Sequence, residues 1–171
     1  MKKVNFLVSI AVLHLTCSLT AIAQTDTKIG ALIAYGTEIE NVGIGANAEF
    51  PIIDQLTISP SIIYYLPKDE SGLKINWFEI NANANFYLLD NDSMGIYARA
   101  GLNYSNVKVK YEDNEFGYMG DFSASDGRFG LNLGGGANFI LSRNITPFAE
   151  IKYVLIDEGQ LVIAGGIKFS I

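Results

Sequence analysis

The segment EINANANFYLL, residues 79–89, alternates between polar and apolar side chains with a period of two. Asn81, Asn83 and Asn85 stand at every second position, and apolar residues stand between them. Because successive side chains of a strand point to opposite faces, the segment is predicted to be a β-strand with one amide face. In a soluble sheet the apolar face packs on a core, whereas in a membrane barrel it contacts lipid. The rest of the chain must decide which of these environments applies.

The N-terminus has the pattern of a secretory signal peptide. A basic start and a short apolar run are followed by the small-x-small cleavage pattern AIA at residues 21–23. The apolar run is too short for a membrane-spanning helix. We therefore predict that residues 1–23 are cleaved on export and that residues 24–171 form a single domain.

Cleavage at this point removes the only His and the only Cys, His14 and Cys17. It leaves ten of the 12 basic residues against 18 acidic ones, a balance that argues against a nucleic-acid partner. Without imidazole or thiol groups, the mature chain cannot carry Ser-His-Asp or Cys-His catalysis, or a zinc site built on those ligands. We therefore predict a non-enzyme with no catalytic residue, no cofactor and no metal ligand.

Acidic pairs in loops are the remaining arrangement for acid–base chemistry, namely Asp113 with Glu115 and Asp157 with Glu158. Acidic loop residues are more often a solvated rim, which is the interpretation we adopt. The segment DNDSMG, residues 90–95, has a faint likeness to a calcium-binding loop but lacks the downstream Glu, and we predict a turn.

Short runs of period two, broken by turn residues, continue through the mature chain. Short turns alternate with mostly acidic loops, of which residues 112–125 form the longest. This pattern is typical of hairpin-connected strands. We predict eight strands, at about residues 28–36, 42–50, 56–66, 74–88, 94–110, 126–141, 146–156 and 160–171.

Aromatic residues recur on the apolar face of these strands in two rows. In three of the strands, a tyrosine near one end lies eight residues after an aliphatic residue near the other end. Eight residues of tilted strand climb about 20 Å, which approaches the apolar band of about 25 Å bordered by aromatic girdles in outer-membrane barrels. The predicted girdles are a tyrosine row, Tyr35, Tyr64, Tyr104 and Tyr153, and a phenylalanine row, Phe50, Phe86, Phe139 and Phe169.

The opposite face of the strands carries mostly Asn, Ser and Gly rather than the many Lys and Glu of a soluble surface. Clustered glycines suit the crowded interior of a closed eight-stranded barrel. We therefore predict an all-β, closed, eight-stranded antiparallel up-and-down transmembrane β-barrel, with a soluble lipocalin-like ligand-binding barrel as the less favoured alternative. Its predicted polar lumen contains Glu79, Asn81, Asn83, Asn85, Arg99, Asn138, Glu150, Lys152 and Lys168.

The sequence also predicts a specific ion pair. We take the segment DEG, residues 157–159, as the tip of a hairpin centred on Glu158. Glu150 would then oppose Gly166, with Lys168 as its diagonal neighbour. An unpaired charge in a narrow lumen is costly, so we predict that Glu150 pairs with Lys168 or Lys152.

With these features the mature chain resembles the small eight-stranded outer-membrane β-barrels typified by OmpX and the membrane domain of OmpA, within the broad porin family. Its C-terminus, GGIKFSI, is similar to the signal that the barrel-assembly machinery reads, with Gly166, Phe169 and Ile171 at the matching positions. The resemblance implies residence in the outer membrane of a Gram-negative bacterium. It also implies contact with outer-membrane lipid and lipopolysaccharide, and with the assembly machinery during biogenesis.

Two functions remain open for such a barrel. The first is a structural or surface-interaction role, with a surface partner reached through the loop at residues 112–125. The second is a narrow channel or transporter for ions or small solutes, although side chains fill the lumen of an eight-stranded barrel.

Overall fold

Buried and exposed side chains alternate over much of the strands of this protein, most regularly in residues 145–155. A computed structural model describes residues 27–70, 73–111, 122–156 and 159–171. Their eight strands are β1 Lys28–Gly36, β2 Asn41–Ile53, β3 Leu56–Glu70, β4 Leu73–Asp90, β5 Met94–Tyr111, β6 Phe122–Phe139, β7 Ile145–Leu155 and β8 Gln160–Ser170. Within the described residues, no helix is long and apolar enough to cross a membrane.

Each strand pairs with the next in the chain, and β1 pairs with β8 to close the barrel. All pairings are antiparallel, and closure runs from Lys28 opposite Ser170 to Gly36 opposite Val162. The prediction of a closed, all-β, eight-stranded antiparallel barrel is therefore confirmed. Closure pairs each strand on both sides where neighbouring strands overlap, as a sheet in hydrocarbon requires, whereas residues 122–130 of β6 pair with β5 alone.

The two ends of the barrel have different connections. At one end, which we call the turn end, lie both termini of the barrel and the connections at residues 54–55, 91–93 and 140–144. At the other, which we call the loop end, lie the connections that contain residues 71–72, 112–121 and 157–158, together with residues 37–40. The predicted signal peptide and most of the predicted partner loop lie outside the described residues.

The hairpin of β5 and β6 extends further toward the loop end than the sequence pattern predicts. β6 begins at Phe122 rather than at residue 126, and Phe122 pairs with Tyr111. Residues 122–125 therefore belong to a strand and not to the loop predicted at 112–125. Backbone pairing can continue past the apolar band because it depends on the ladder of hydrogen bonds and not on side-chain alternation.

Side chains on the outer face of the barrel are large, apolar and exposed. Ile33 is 63% exposed, Leu102 is 62% exposed and Phe129 is 82% exposed. The inner face collects the buried Asn, Glu, Lys and Arg side chains. This arrangement is the opposite of the soluble lipocalin-like alternative, whose apolar side chains would fill the interior. A continuous apolar surface of this extent is suited to lipid rather than to water.

Inward-facing glycines make room for inward-facing tyrosines. A Cβ atom at Gly136 would lie 2.6 Å from the hydroxyl oxygen of Tyr97, and a Cβ at Gly95 would lie 2.8 Å from the ring of Tyr87. At these two positions the absence of a side chain leaves space for a tyrosine from a neighbouring strand.

Candidate functional site

The lumen contains a ladder of asparagines on β4, β5 and β6. The Nδ2 group of Asn132 donates hydrogen bonds to the Oδ1 atoms of Asn81 and Asn83, both at 2.8 Å. The Nδ2 group of Asn103 donates to Asn81 Oδ1 at 2.9 Å. The alternating asparagines of β4 therefore face inward, where their Oδ1 atoms accept hydrogen bonds from side chains of β5 and β6.

Three buried ion pairs cross the lumen at successive levels. Nearest the turn end, Lys168 Nζ lies 2.7 Å from Glu49 Oε2. At the middle level, Arg99 Nη1 lies 2.5 Å from Glu150 Oε2, and Arg99 Nη2 lies 2.6 Å from Glu150 Oε1. Toward the loop end, Lys152 Nζ lies 2.7 Å from Glu79 Oε2. Each buried charge therefore has a partner of opposite sign, as burial requires.

Each of the three carboxylates also accepts a hydrogen bond from a buried tyrosine. Tyr97 donates to Glu150 at 2.6 Å, and Tyr65 donates to Glu79 at 3.1 Å. The hydroxyl of Tyr87 donates to Glu49. One cation and one phenol thus hold each carboxylate in place. None of these tyrosines was among the predicted site residues. Their signal in the sequence is that each tyrosine shares the inward parity of the polar residues on its own strand.

The predicted partner of Glu150 was wrong. Glu150 pairs with Arg99, while Lys168 and Lys152 pair with Glu49 and Glu79. The first cause is the register of the last hairpin, in which Phe148 opposes Gly166 and Glu150 opposes Ala164. This register is two residues from the predicted one, so Lys168 is not diagonal to Glu150. The second cause is the narrow lumen, because Arg99 reaches Glu150 from β5 across β6.

The remaining residues of the predicted polar lumen are also buried. Asn85 is 0% exposed and its Oδ1 atom accepts a hydrogen bond from Arg99 Nε at 2.8 Å. Asn138 is 2% exposed, and its Oδ1 atom accepts a hydrogen bond from Lys168 Nζ at 3.0 Å. The structure thus brings Asn85 into contact with the middle ion pair and Asn138 into contact with the pair nearest the turn end.

Part of the lumen is apolar, which the prediction of a uniformly polar interior missed. Buried aliphatic side chains from β1, β3, β7 and β8 form one cluster with two aromatic rings, and the polar ladder occupies the opposite wall. Lys168 Nζ lies 4.5 Å from the centre of the Phe148 ring in this region. The cluster consists of Leu32, Ala34, Ile63, Tyr65, Phe148, Val154, Val162 and Ala164.

The aromatic residues of the two predicted rows all lie on the outer face. Six of them are between 42% and 47% exposed: Tyr35, Tyr64, Tyr153, Phe86, Phe139 and Phe169. Phe50 and Tyr104 are half-buried. The ring of Tyr104 packs against that of Phe129, with centroids 5.0 Å apart, and Phe129 is an exposed aromatic that the predicted rows did not include.

The comparisons with known proteins agree with this geometry. Residues 8–170 match the family model described as outer membrane protein beta-barrel domain. The chain belongs to this family. Membership places the barrel in an outer membrane of the Gram-negative type. The sequence matches no protein among those of curated function.

Solved barrels of three bacterial groups share the fold at low sequence identity. The N-terminal β-barrel domain of Pseudomonas aeruginosa OprF is 14% identical with a TM-score of 0.66, over 85% of this chain and 97% of that one. Neisserial surface protein A is 15% identical with a TM-score of 0.61, over 85% and 96%. Yersinia pestis Ail, solved with the heparin analogue sucrose octasulfate, is also 15% identical with a TM-score of 0.61, over 85% and 96%. These likenesses establish a shared architecture.

The three residues of the predicted assembly signal lie at the C-terminal end of the chain. Phe169 is 47% exposed and Ile171 is 75% exposed on the outer surface. A Cβ atom at Gly166 would lie 2.9 Å from the Phe148 ring, so the glycine leaves space for that ring. The signal thus presents two apolar side chains outward from the strand that closes the barrel.

The turn between β4 and β5 has no geometry of a calcium loop. Asn91 Oδ1 accepts hydrogen bonds from the backbone N–H groups of Ser93 and Met94, both at 3.0 Å, which is an Asx-type turn. The described residues contain no group of three or more His, Cys, Asp and Glu side chains that could hold a metal ion. The two predicted acidic pairs, at residues 113 and 115 and at residues 157 and 158, lie outside the described residues.

Proposed function

We propose that the chain is a non-enzymatic outer-membrane barrel with a structural or surface-interaction role. The three ion pairs across the lumen carry this proposal, because they occupy the space through which a solute would pass. Their six charged side chains are each at most 7% exposed. The interior of an eight-stranded barrel is just wide enough for side chains to fill, and here the chain fills it with paired charges and asparagines.

Planar-bilayer recording of the refolded protein tests this proposal against a narrow channel. We expect no steady, discrete openings from the wild-type barrel in symmetric salt. The same preparation is checked for folding by its mobility on unboiled gels, which should differ from that of the boiled sample. Reproducible unitary openings from folded protein would contradict the proposed role and support the channel.

Export by residues 1–23 and assembly through the C-terminal signal belong to the same proposal. The mature protein should begin at Gln24 and partition with the outer membrane, where it contacts lipid and lipopolysaccharide. Replacing both Phe169 and Ile171 by Ala should lower the amount of folded barrel, whereas the same change at the outward-facing Leu131 and Leu133 should lower it less. Recovery of soluble periplasmic protein without detergent would contradict the proposed location.

We propose that the loop end faces outward from the cell and presents the surface for a partner, because outer-membrane barrels have short periplasmic turns and longer external loops. An epitope tag inserted at residue 116 should be detected on intact cells. A tag inserted at residue 92, in a turn-end connection, should be detected only after the outer membrane is opened. The reverse result would contradict this orientation.

The acidic character of the loops limits the kind of partner. The Ail structure contains sucrose octasulfate, a polyanion. This chain has 18 acidic residues, of which Glu38 and Glu40 lie in the loop-end connection at residues 37–40, and Asp69 and Glu70 lie at the loop end of β3. Like charges repel, so we propose that its surface partner is neutral or cationic rather than a sulfated sugar.

A further inference from the structure

A cup lies inside the barrel at the loop end, above the level of the Glu79–Lys152 ion pair. Its volume is about 370 Å³, and the side chains lining it include Trp77, Ser105, Val107, Arg128, Ile156 and Gln160. Small-molecule sites in proteins have volumes of about 300–1,000 Å³ and combine apolar walls with a few polar groups. The cup has both properties, and none of the ion pairs that fill the rest of the lumen extends into it.

Gln160 connects the cup with the filled lumen below it. Its side chain is 3% exposed, and its Nε2 group donates a hydrogen bond to Glu79 Oε1 at 2.9 Å. Glu79 in turn pairs with Lys152 and accepts a hydrogen bond from Tyr65. These contacts therefore orient the amide of Gln160, because its Nε2 group donates to the lumenal Glu79.

Two buried polar atoms of the cup residues have no hydrogen-bond partner among the residues that the structure describes. They are the Oε1 atom of Gln160, an acceptor, and the Nε1–H group of Trp77, a donor. Buried polar groups are nearly always paired, and an unpaired one is costly. Both atoms are buried from solvent. A ligand would therefore reach them through a small shift of the Trp77 and Gln160 side chains.

The charges at the rim define which ligands fit. Arg128 is the one cation among the described lining residues, and its Nε donates to Asp126 Oδ2 at 2.8 Å. Glu38 adds a second lining carboxylate. This rim disfavours anions. The walls between rim and floor are apolar, with the Trp77 ring beside Val107, Val109 and Ile156.

We propose that the cup binds a small, neutral molecule that carries a secondary amide on an apolar body. The amide carbonyl accepts a hydrogen bond from Trp77 Nε1–H, the amide N–H donates one to Gln160 Oε1, and the apolar body packs against the valines of β5. A secondary amide carries both the acceptor and the donor that these two atoms lack.

Trp77 is the only tryptophan of the chain, so its fluorescence reports directly on the cup. The probe is acetanilide, titrated into the folded protein in detergent, and the comparison probe is phenyl acetate, in which oxygen replaces the N–H group. We expect a saturable change of Trp77 emission with acetanilide, and binding of phenyl acetate weaker by about fivefold, the effect of one lost hydrogen bond.

Three variants decide where the probe binds. Val107→Phe fills the cup and should abolish the saturable change, and Val109→Phe, two residues further along β5, is the second blocked variant should the first fail to fold. Val42→Phe makes the same substitution on the outer face, where Val42 is 39% exposed, and should leave binding unchanged. Gln160→Met keeps the side-chain length but removes both the acceptor and the Nε2 donor to Glu79, and the folded variant should bind acetanilide about as weakly as the wild-type protein binds phenyl acetate.

The proposal is overturned if acetanilide gives no saturable change with the wild-type protein. It is also overturned if the change persists in a folded, blocked variant, since that result would report partitioning into detergent. Equal affinity for the two probes would overturn the assignment of an amide ligand.

Discussion

The two faces of β4 have the same backbone but opposite surroundings. On the inner face, Glu79, Asn81 and Asn83 are 0%, 1% and 2% exposed. On the outer face, Ile80 and Leu88 are 49% and 68% exposed. The comparison teaches that the two faces of one strand meet different surroundings. Charged groups of the inner face are buried in ion pairs, and the outer face is stable in lipid only when it carries no charge.

The largest expected effect is the loss of one partner of a buried ion pair. Arg99→Met leaves the Glu150 carboxylate buried with Tyr97 but without its cation. This change should lower the free energy of unfolding by about 3–5 kcal/mol. Urea titration of the barrel in lipid vesicles measures it. The double variant Arg99→Met with Glu150→Gln should recover part of the loss, and simple additivity of the two single changes would contradict the pairing.

A charge on the outer face should have the next largest effect. Ala84 lies on the outer face of β4, between Asn83 and Asn85. Ala84→Arg should lower the free energy of unfolding by about 2–4 kcal/mol, as for charges near the bilayer midplane. Ala84→Leu is the matched control, because it adds bulk without charge and should change stability little. Equal losses from Arg and Leu would show that this face does not contact hydrocarbon.

A single amide of the inner face should matter less. Asn83 accepts one hydrogen bond from Asn132, whose Nδ2 group also donates to Asn81. Asn83→Ala should therefore lower the free energy of unfolding by about 1 kcal/mol, the worth of one hydrogen bond. The same urea titration measures it. A loss greater than that of Ala84→Arg would reverse the assignment of inner and outer faces.

The smallest effect is expected where an ion pair is exposed. The side chains of Arg128 and Asp126 are 48% and 63% exposed, unlike those of the lumenal pairs. Asp126→Asn should change the free energy of unfolding by less than about 1 kcal/mol, because water screens the pair. A loss comparable with that of Arg99→Met would contradict the view that burial makes the lumenal pairs important.

The order and number of the strands could be predicted from the sequence, because a period of two with turn residues between the runs specifies each strand locally. The parity of Asn81, Asn83 and Asn85 likewise predicts which side chains share a face. Both properties depend only on residues that are near one another in the chain, and a closed barrel adds only the condition that no edge stays free.

The partners inside the lumen could not be predicted in the same way. Arg99 meets Glu150 across an intervening strand, and Lys168 meets Glu49 across β1, so these contacts depend on the width and register of the closed barrel. The turn before β8 shifts that register by two residues relative to the prediction. The cup and its unpaired Gln160 oxygen also depend on how far β5 and β6 extend beyond the apolar band.

We infer that the polar face of the strands lines the lumen and that the apolar face contacts lipid. Quenching of tryptophan fluorescence by lipids with brominated acyl chains tests this inference most directly. Trp77 lines the cup inside the barrel, whereas Leu102 is 62% exposed on the outer face. Brominated lipid should quench the wild-type protein little and should quench the variant with Trp77→Phe and Leu102→Trp strongly. Strong quenching of Trp77 together with weak quenching at position 102 would contradict a polar lumen within a lipid-facing apolar wall.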